Sequence, residues 1–260
     1  MKTLTWSDMK RFSTLLVLLC LLCAGCKGEA AVETAPAEYE IHGTIPVDYV
    51  ADMEWIRRYE ATDIAVLKER AATEEKVCDV LFFGSSSIRR WVSLHEDMAP
   101  LRVVNRGYGG ATLRDLHYNY ATVMDTYQPK AFVLYCDNDI KSSKNAKNLH
   151  VGELFDHYRL LLQRLNKDYP NVPLYGLAIK YSERRAAMRP QQELFNALMA
   201  DYAAHTPNFT FIDINTVLLN KDGSVNSALF VDDKLHINAE GYALWTALLK
   251  PMLMQYQTAK

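Results

Sequence analysis

Short, mostly apolar runs alternate along the chain with longer segments in which apolar residues recur every three or four positions. A continuous apolar run of roughly four to eight residues predicts a buried strand. Five such runs lie at residues 80–83, 101–105, 131–135, 172–179 and 209–214. Apolar strands joined by helices are typical of a parallel sheet covered on both faces. The pattern therefore predicts an α/β fold with a central parallel sheet of about five strands.

The segments with the three-to-four-residue spacing predict the helices of this fold. They cover residues 113–124, 151–165, 191–204 and 239–254. Asn238 precedes the last of these segments and is well placed to cap it. Residues 47–76 carry the same spacing and predict one or two helices before the first strand. The folded domain is therefore expected to span residues 47–260.

Residues 1–26 differ from the rest of the chain and predict a targeting segment. Positive residues near the start precede an apolar stretch over residues 12–23, which is short for a membrane span and typical of an export signal. The stretch ends in Leu22-Cys23-Ala24-Gly25-Cys26, which resembles a bacterial lipoprotein signal. That resemblance implies cleavage before Cys26 and a lipid on its thiol. Because Cys23 replaces the usual leucine, an ordinary signal peptide or an uncleaved anchor is the alternative.

Each of these alternatives places the folded part outside the cytoplasm. Residues 27–46 are polar, small and irregular, and they predict a flexible tether between the lipid and the domain. We therefore expect an exported bacterial lipoprotein. It would be held at the membrane through its lipid alone, on the periplasmic side or at the cell surface.

Composition narrows the class of protein further. The 260 residues carry a formal net charge of −2, so the sequence gives no case for a nucleic-acid partner. Cys78 and Cys136 are the cysteines that remain once residues 1–26 are set aside. Cys78 lies at the entry of the first predicted strand and Cys136 at the exit of the third. We therefore expect these cysteines at opposite ends of the sheet and unpaired.

Candidate chemistry lies in the loops that follow the strands. Sites in open parallel sheets form at the carboxyl ends of the strands, where the strand order reverses. The first strand ends in Gly84-Ser85-Ser86-Ser87. The glycine permits a tight turn, and a following helix would offer N–H groups to a developing anion. A serine in this setting can act as a nucleophile, although an ordinary Gly-Ser loop is the alternative.

Two further loops supply hydrogen-bond donors. Residues 105–112 include Gly107, Gly109 and Gly110, whose backbone N–H groups are open to a ligand in the way that an oxyanion site requires. Asn138 follows the third strand, and its side-chain amide could donate to the same oxyanion. A plain glycine-rich turn and a turn-closing asparagine are the structural alternatives.

A carboxylate and an imidazole form the last candidate motif. Asp233 and His236 lie three residues apart, just before the last predicted helix. A carboxylate can hold an imidazole in one tautomer and stabilise its cation, so that the other ring nitrogen takes a proton from a serine. A capping or surface histidine is the alternative for an isolated motif. Asp232 is the rival carboxylate.

Taken in order, these four motifs resemble those of the SGNH hydrolases, also called the GDSL lipase/esterase family. The resemblance runs from Asp79 to the C-terminal helix. It implies a flavodoxin-like, three-layer α/β/α sandwich and a serine acylhydrolase that needs neither a cofactor nor a metal. It also implies that Ser86 is the nucleophile, that His236 is the general base, and that Asp233 orients the imidazole.

The resemblance also implies an oxyanion hole. Its donors would be the backbone N–H groups of Ser86 and Gly110 and the side-chain amide of Asn138. Two positions depart from the family pattern, because Ser85 replaces the usual aspartate and Cys136 replaces the glycine that opens the third motif. Cys136 is expected to narrow the loop, which would either shape a pocket for small acyl groups or distort the hole.

The register with the family favours Ser86 over its neighbours Ser85 and Ser87 as the nucleophile. A catalytic Cys136 is a further option, but no base stands beside it in the sequence. The three-residue spacing to His236 matches the family motif at Asp233 and not at Asp232.

The implied reaction is hydrolysis of carboxylic esters through an acyl-enzyme. Small members of the family favour acetyl or short acyl esters on carbohydrates, so we expect a small-molecule or glycan ester as the substrate. Arg89, Tyr108 and Cys136 are the expected lining residues, and Trp91 and Tyr135 are candidates either for the lining or for the core. A lysophospholipase or thioesterase of the same family is one alternative. A non-catalytic glycan-binding protein that retains the fold is another.

Overall fold

The computed structural model describes residues 53–142 and 148–258, which form a parallel sheet with helices on both faces. The strands are β1 (Val77–Gly84), β2 (Val103–Gly107), β3 (Gln128–Tyr135), β4 (Leu174–Leu177) and β5 (Phe209–Ile212). All are parallel, in the order β2-β1-β3-β4-β5. The predicted α/β/α sandwich with a five-stranded parallel sheet is confirmed. The strand order reverses at β1, because β2 lies on one side of it and β3 to β5 lie on the other, and sites form at such a switch point.

Helices precede, connect and follow these strands in the described residues. The α-helices are α1 (Met53–Arg57), α2 (Asp63–Ala71), α3 (Ser86–Arg89), α4 (Leu94–Met98), α5 (Leu113–Tyr118), α6 (Tyr120–Met124), α7 (Val151–Asp168), α8 (Arg189–Ala204) and α9 (Ala239–Leu253). The predicted cap of the last helix is present, because the Asn238 side chain accepts a hydrogen bond from the Gly241 N–H.

Alternate residues of the central strands face opposite layers. Leu81 and Phe83 point into one apolar cluster together with side chains of α2 and α5 to α8. Val80 and Phe82 point into the other cluster together with side chains of α3, α4 and α9. All four of these β1 side chains are fully buried. Burial on both faces explains why the strands are apolar throughout rather than alternating.

Several predicted elements break or end earlier than expected, among them the fifth strand, which ends at Ile212 rather than at residue 214. The helix predicted over residues 113–124 breaks at Asn119, whose side-chain amide donates to the Asp115 carbonyl and competes with the helical pattern. The fourth strand was expected to reach Ile179 but ends at Leu177. The Ile179 N–H and carbonyl bind the side chain of Asn196 instead of a neighbouring strand.

Several predictions concern other parts of the chain. The predicted signal segment, its Cys26 and the tether over residues 27–46 lie outside the described residues. Among the helices that the structure does describe, none has the length and apolar character needed to cross a membrane. Cys78, at the start of β1, and Cys136, just past the end of β3, are both buried free thiols.

The register of the sheet brings three loops to one level. Gly84 at the end of β1 pairs with Gly107 at the end of β2 on one side and with Tyr135 at the end of β3 on the other. Gly84 has a φ of +125°, and a Cβ atom there would lie 1.9 Å from the carbonyl oxygen of Tyr135. Only glycine fits this position, so it fixes where the chain leaves the sheet.

We therefore expect Gly84→Ala to lower the free energy of unfolding by more than about 2 kcal/mol, because the methyl group adds a backbone clash to a strained φ. Gly152→Ala is the matched control, since a Cβ there meets no atom within 4 Å and the position lies in α7. Alanine at that helical position is expected to be neutral or stabilising. Urea unfolding of both variants measures the difference, and equal stabilities would contradict the role given to Gly84.

Candidate active site

The turn after β1 presents one of its three serines to a surface cleft. Ser86 is the first residue of α3, is partly exposed and lines the cleft. Ser85 and Ser87 are buried. The hydroxyl of Ser85 donates to Asp137, and the hydroxyl of Ser87 accepts from Lys180, at 3.1 Å in each case. The geometry therefore leaves Ser86 as the one serine of this turn that a substrate can reach.

Folding brings Ser86 next to His236, 150 positions later in the chain. The Ser86 Oγ lies 2.8 Å from the His236 Nε2. On the other side of the ring, Nδ1 lies 2.6 Å from the Asp233 Oδ2. The second oxygen of Asp233 accepts the backbone N–H groups of Leu235 and His236, each at 2.9 Å. The carboxylate thus fixes the ring orientation, and Asp233 rather than Asp232 makes these contacts.

These contacts set the charge states of the pair. Burial opposes ionisation of Asp233, but hydrogen bonds from the His236 backbone and ring and from the Leu235 backbone lower its pKa to about 2. Burial lowers the pKa of His236 below its usual 6.5. The hydrogen bond to Asp233 raises this pKa, and the positive charge of Lys180 offsets part of that increase. A neutral imidazole beside an ionised carboxylate is the state that accepts a proton from Ser86.

The expected oxyanion donors border the same cleft. Gly110, at a φ of +69°, and Asn138 both line it beside Ser86. The Asn138 amide nitrogen donates to the Ala111 carbonyl at 3.0 Å, and its oxygen accepts from Arg185 at 2.7 Å. An amide nitrogen carries two hydrogens, so one N–H of Asn138 remains for a bound oxygen. Ser86, Gly110 and Asn138 therefore border one cleft, as the predicted oxyanion hole of two backbone donors and one side-chain donor requires.

Of the three expected lining residues, Arg89 borders the cleft and the other two do not. Tyr108 is fully buried, where its ring packs against Tyr59. Cys136 is also buried, and its thiol donates to the Ala111 carbonyl at 3.3 Å. Burial raises the pKa of Cys136 well above its usual value, so this thiol stays protonated and is a poor nucleophile.

Trp91 and Tyr135, the two candidates for either lining or core, belong to the core. Both side chains are almost fully buried in the apolar cluster that includes α9. Trp91 stacks on Tyr242 with ring centroids 5.2 Å apart. The cleft also includes Gly109 of the glycine-rich loop, and it is completed by three residues that no sequence motif pointed to, namely Tyr59, Arg90 and Leu235.

Tyr59 reaches the cleft from the helical segment that precedes β1. A Cβ on Gly110 would lie 2.3 Å from the Tyr59 hydroxyl oxygen, so this ring stands directly against the oxyanion loop. The neighbouring Arg58 holds the segment in place through two hydrogen bonds to Asp115, at 2.9 and 2.7 Å. Asp63 accepts the Gly109 N–H at 3.0 Å. The helical spacing of this segment did not predict the contact between Tyr59 and the oxyanion loop, because spacing alone does not show which loop a helix will contact.

A buried ionic cluster lies beneath the turn and was also missed. Asp137 is 3% exposed, and its carboxylate contacts Lys180 at 3.5 Å and the Arg185 guanidinium. Burial opposes its ionisation, but these two cations keep the pKa of Asp137 far below its usual range. Burial lowers the pKa of Lys180 to about 8, against the attraction of Asp137. Both cations lie in the loop that follows β4, and no sequence motif marks that loop.

We also searched the described part of the chain for side chains that could bind a metal ion. No group of three or more His, Cys, Asp or Glu side chains there is arranged to hold a metal ion.

The sequence matches the GDSL-like Lipase/Acylhydrolase family over residues 73–244. The chain therefore belongs to this family of hydrolases that act on ester bonds. A comparison of the sequence with curated proteins finds no match.

Solved structures with the same fold come from several bacteria. A protein from Streptococcus pneumonia described as a platelet activating factor has a TM-score of 0.66 at 18% identity, covering 80% of this chain and 100% of its own. A protein from Bacteroides fragilis described as an acylhydrolase has a TM-score of 0.61 at 19% identity, covering 77% of this chain and 97% of its own. An acetylxylan esterase from Geobacillus stearothermophilus, solved as a catalytic mutant, has a TM-score of 0.54 at 18% identity, covering 70% of this chain and 97% of its own.

The lowered pKa of His236 predicts the acid limb of the pH profile. The predicted role of His236 as general base requires its neutral form, so kcat/KM should hold down to the usual imidazole value of 6.5 and fall at lower pH. Arg90 is exposed, and its charge also lowers the pKa of His236, so Arg90→Gln should move the limb to higher pH. Lys68→Gln, on the exposed side of α2, is the charge-matched control. A wild-type acid limb with its midpoint above pH 6.5, or the same midpoint in Arg90→Gln and Lys68→Gln, would contradict the role given to His236.

Proposed function

We propose that this hydrolase is a serine esterase that removes acetyl or short acyl groups from carbohydrates. Ser86 attacks the ester carbonyl while His236 takes its proton, and Asp233 stabilises the resulting imidazolium. The tetrahedral oxyanion is bound by the N–H groups of Ser86 and Gly110 and by the Asn138 amide. His236 then protonates the leaving alcohol. Water attacks the acyl-enzyme by the same steps and restores the free serine.

The polar lining of the cleft is the observation that supports this choice of substrate. A long acyl chain requires an apolar channel, because ligand pockets bury most of the surface of what they bind. Among the described residues that line the cleft, Leu235 has the one aliphatic side chain. The others include Tyr59 and the guanidinium groups of Arg89 and Arg90. Such a lining favours a small acyl group on a hydroxyl-rich alcohol.

One structural neighbour is described as acting on the same class of substrate. The enzyme from Geobacillus stearothermophilus is an acetylxylan esterase, and it shares this fold at 18% identity. Identity at this level supports the fold alone, so the support for acetylated sugars rests chiefly on the chemistry of the cleft.

We also propose that the chain is exported and anchored through a lipid on Cys26, which only the sequence of residues 1–26 supports. Metabolic labelling with a tagged palmitate in a bacterial host is expected to mark the wild type and not Cys26→Ser. An unlabelled wild type, or a labelled Cys26→Ser variant, would contradict the anchor.

A substrate panel tests the proposed activity. We expect kcat/KM to be highest for acetyl esters, including acetylated xylo-oligosaccharides, and to fall as the acyl chain lengthens. Ser86→Ala is expected to lose on the order of 1,000-fold or more in kcat, since it removes the nucleophile. Ser224→Ala, on the exposed surface, is the matched control and should leave kcat unchanged.

Three results of the panel would overturn the proposal. Preference for a palmitoyl lysophospholipid would assign a lysophospholipase, and preference for an acyl thioester would assign a thioesterase. Absence of turnover on every member of the panel, together with binding of the acetylated oligosaccharide, would assign a non-catalytic glycan-binding protein.

A further inference from the structure

Arg185 contacts the predicted oxyanion amide from behind the cleft. It lies in the 3₁₀ turn Glu183–Met188 after β4 and is 6% exposed. Its Nη2 donates to the Asn138 Oδ1 at 2.7 Å. Its Nη1 donates to the backbone carbonyl of Asp137 at 3.0 Å and also to the Asp137 carboxylate. One planar guanidinium thus grips two consecutive residues of the loop that follows β3.

These contacts allow the Asn138 amide only one orientation. A guanidinium carries donors and no acceptor, so the amide atom that faces Arg185 must be the oxygen. On the opposite side, the Ala111 carbonyl accepts a hydrogen bond and therefore requires the amide nitrogen. A flipped amide would place N–H against N–H at Arg185 and oxygen against oxygen at Ala111. The amide hydrogens therefore point away from Arg185, toward the Ala111 carbonyl and the cleft.

The charge of Arg185 adds to this steric and hydrogen-bonding constraint. A cation at the amide oxygen polarises the amide and makes its N–H groups stronger donors. The buried carboxylate of Asp137 balances that cation, and Tyr135 and Ser85 donate to the same carboxylate at 2.9 and 3.1 Å. Every part of the support behind Asn138 is therefore buried and hydrogen-bonded, as a preorganised oxyanion donor requires.

We propose that Arg185 is a positioning residue of the oxyanion site and acts on the reaction through Asn138. The inference rests on the proposed esterase function. Arg185 is separate from the described residues that line the cleft, so it orients the donor without touching the substrate. Its effect should therefore appear in turnover and depend on the presence of the Asn138 amide.

A double-mutant cycle on p-nitrophenyl acetate tests this dependence. Arg185→Lys keeps a charge for Asp137 but loses the planar fork that reaches both residues. We expect Arg185→Lys to lower kcat by about 10-fold or more, with KM changed less than about threefold. Asn138→Ala should cost about 100-fold in kcat. The double variant should match Asn138→Ala within about threefold, because Arg185 has no amide left to orient.

Controls separate this inference from a structural role. Arg184→Lys, at the exposed neighbouring position, should leave kcat unchanged. Thermal unfolding should place Arg185→Lys close to the wild type. If that variant does not fold, Arg185→Gln enters the same cycle with the same expected loss, since it removes the charge and the fork that reaches both residues while Lys180 still pairs with Asp137.

The outcomes distinguish the inference from the function on which it depends. An active wild type in which Arg185→Lys keeps full kcat overturns the positioning role alone. The same holds if the losses from the Arg185 and Asn138 substitutions multiply in the double variant. A folded wild type without esterase activity overturns the proposed function and, with it, this inference.

Discussion

One buried carboxylate joins the chain segments at the ends of β1, β3 and β4. Asp137 accepts a hydrogen bond from Ser85 after β1 and from Tyr135 at the end of β3, and it contacts Lys180 and Arg185 after β4. A charge in the interior is tolerated only when it is paired and hydrogen-bonded. Removing one partner of such a pair typically costs about 3–5 kcal/mol, whereas replacing the whole set with apolar groups is often neutral. The cluster therefore specifies one arrangement of these loops more than it adds stability.

The same cluster explains how the chain accommodates its departures from the family pattern. The usual aspartate after Gly84 is replaced by Ser85, and the carboxylate of Asp137, in the loop that follows β3, accepts a hydrogen bond from that serine. Two cations against one carboxylate leave excess positive charge beneath the turn. That charge favours a neutral His236, as the effect of Lys180 on the pKa of His236 shows. The same charge also favours an oxyanion in the cleft.

The fold was largely predictable from the sequence because both faces of the sheet are covered. Apolar runs locate each strand, and the helical spacing of residues 151–165 and 239–254 locates α7 and α9. The resemblance to a known family pointed to Ser86 and His236, which the structure places in contact. The break at Asn119 was not predictable, because a side-chain hydrogen bond to one carbonyl decides it.

The supports of the site were harder to predict than its expected chemical groups. Lys180 and Arg185 follow a strand without any motif, and only the tertiary structure shows that both turn inward to a carboxylate. Tyr59 comes from a segment before the part of the chain that matches the family, so no family motif marks it. Tyr108 was misassigned because an aromatic residue in a glycine-rich loop suits either a cleft or the core, and here the ring is buried.

The proposed mechanism requires that the hydroxyl of Ser86, paired with His236, is the reactive nucleophile. Labelling with a fluorophosphonate probe, followed by peptide mass spectrometry, measures this directly. We expect a single adduct on Ser86, formed much more slowly in His236→Ala. An adduct on Ser85 or Ser87, equal labelling rates in His236→Ala, or a folded protein that takes up no probe would contradict it.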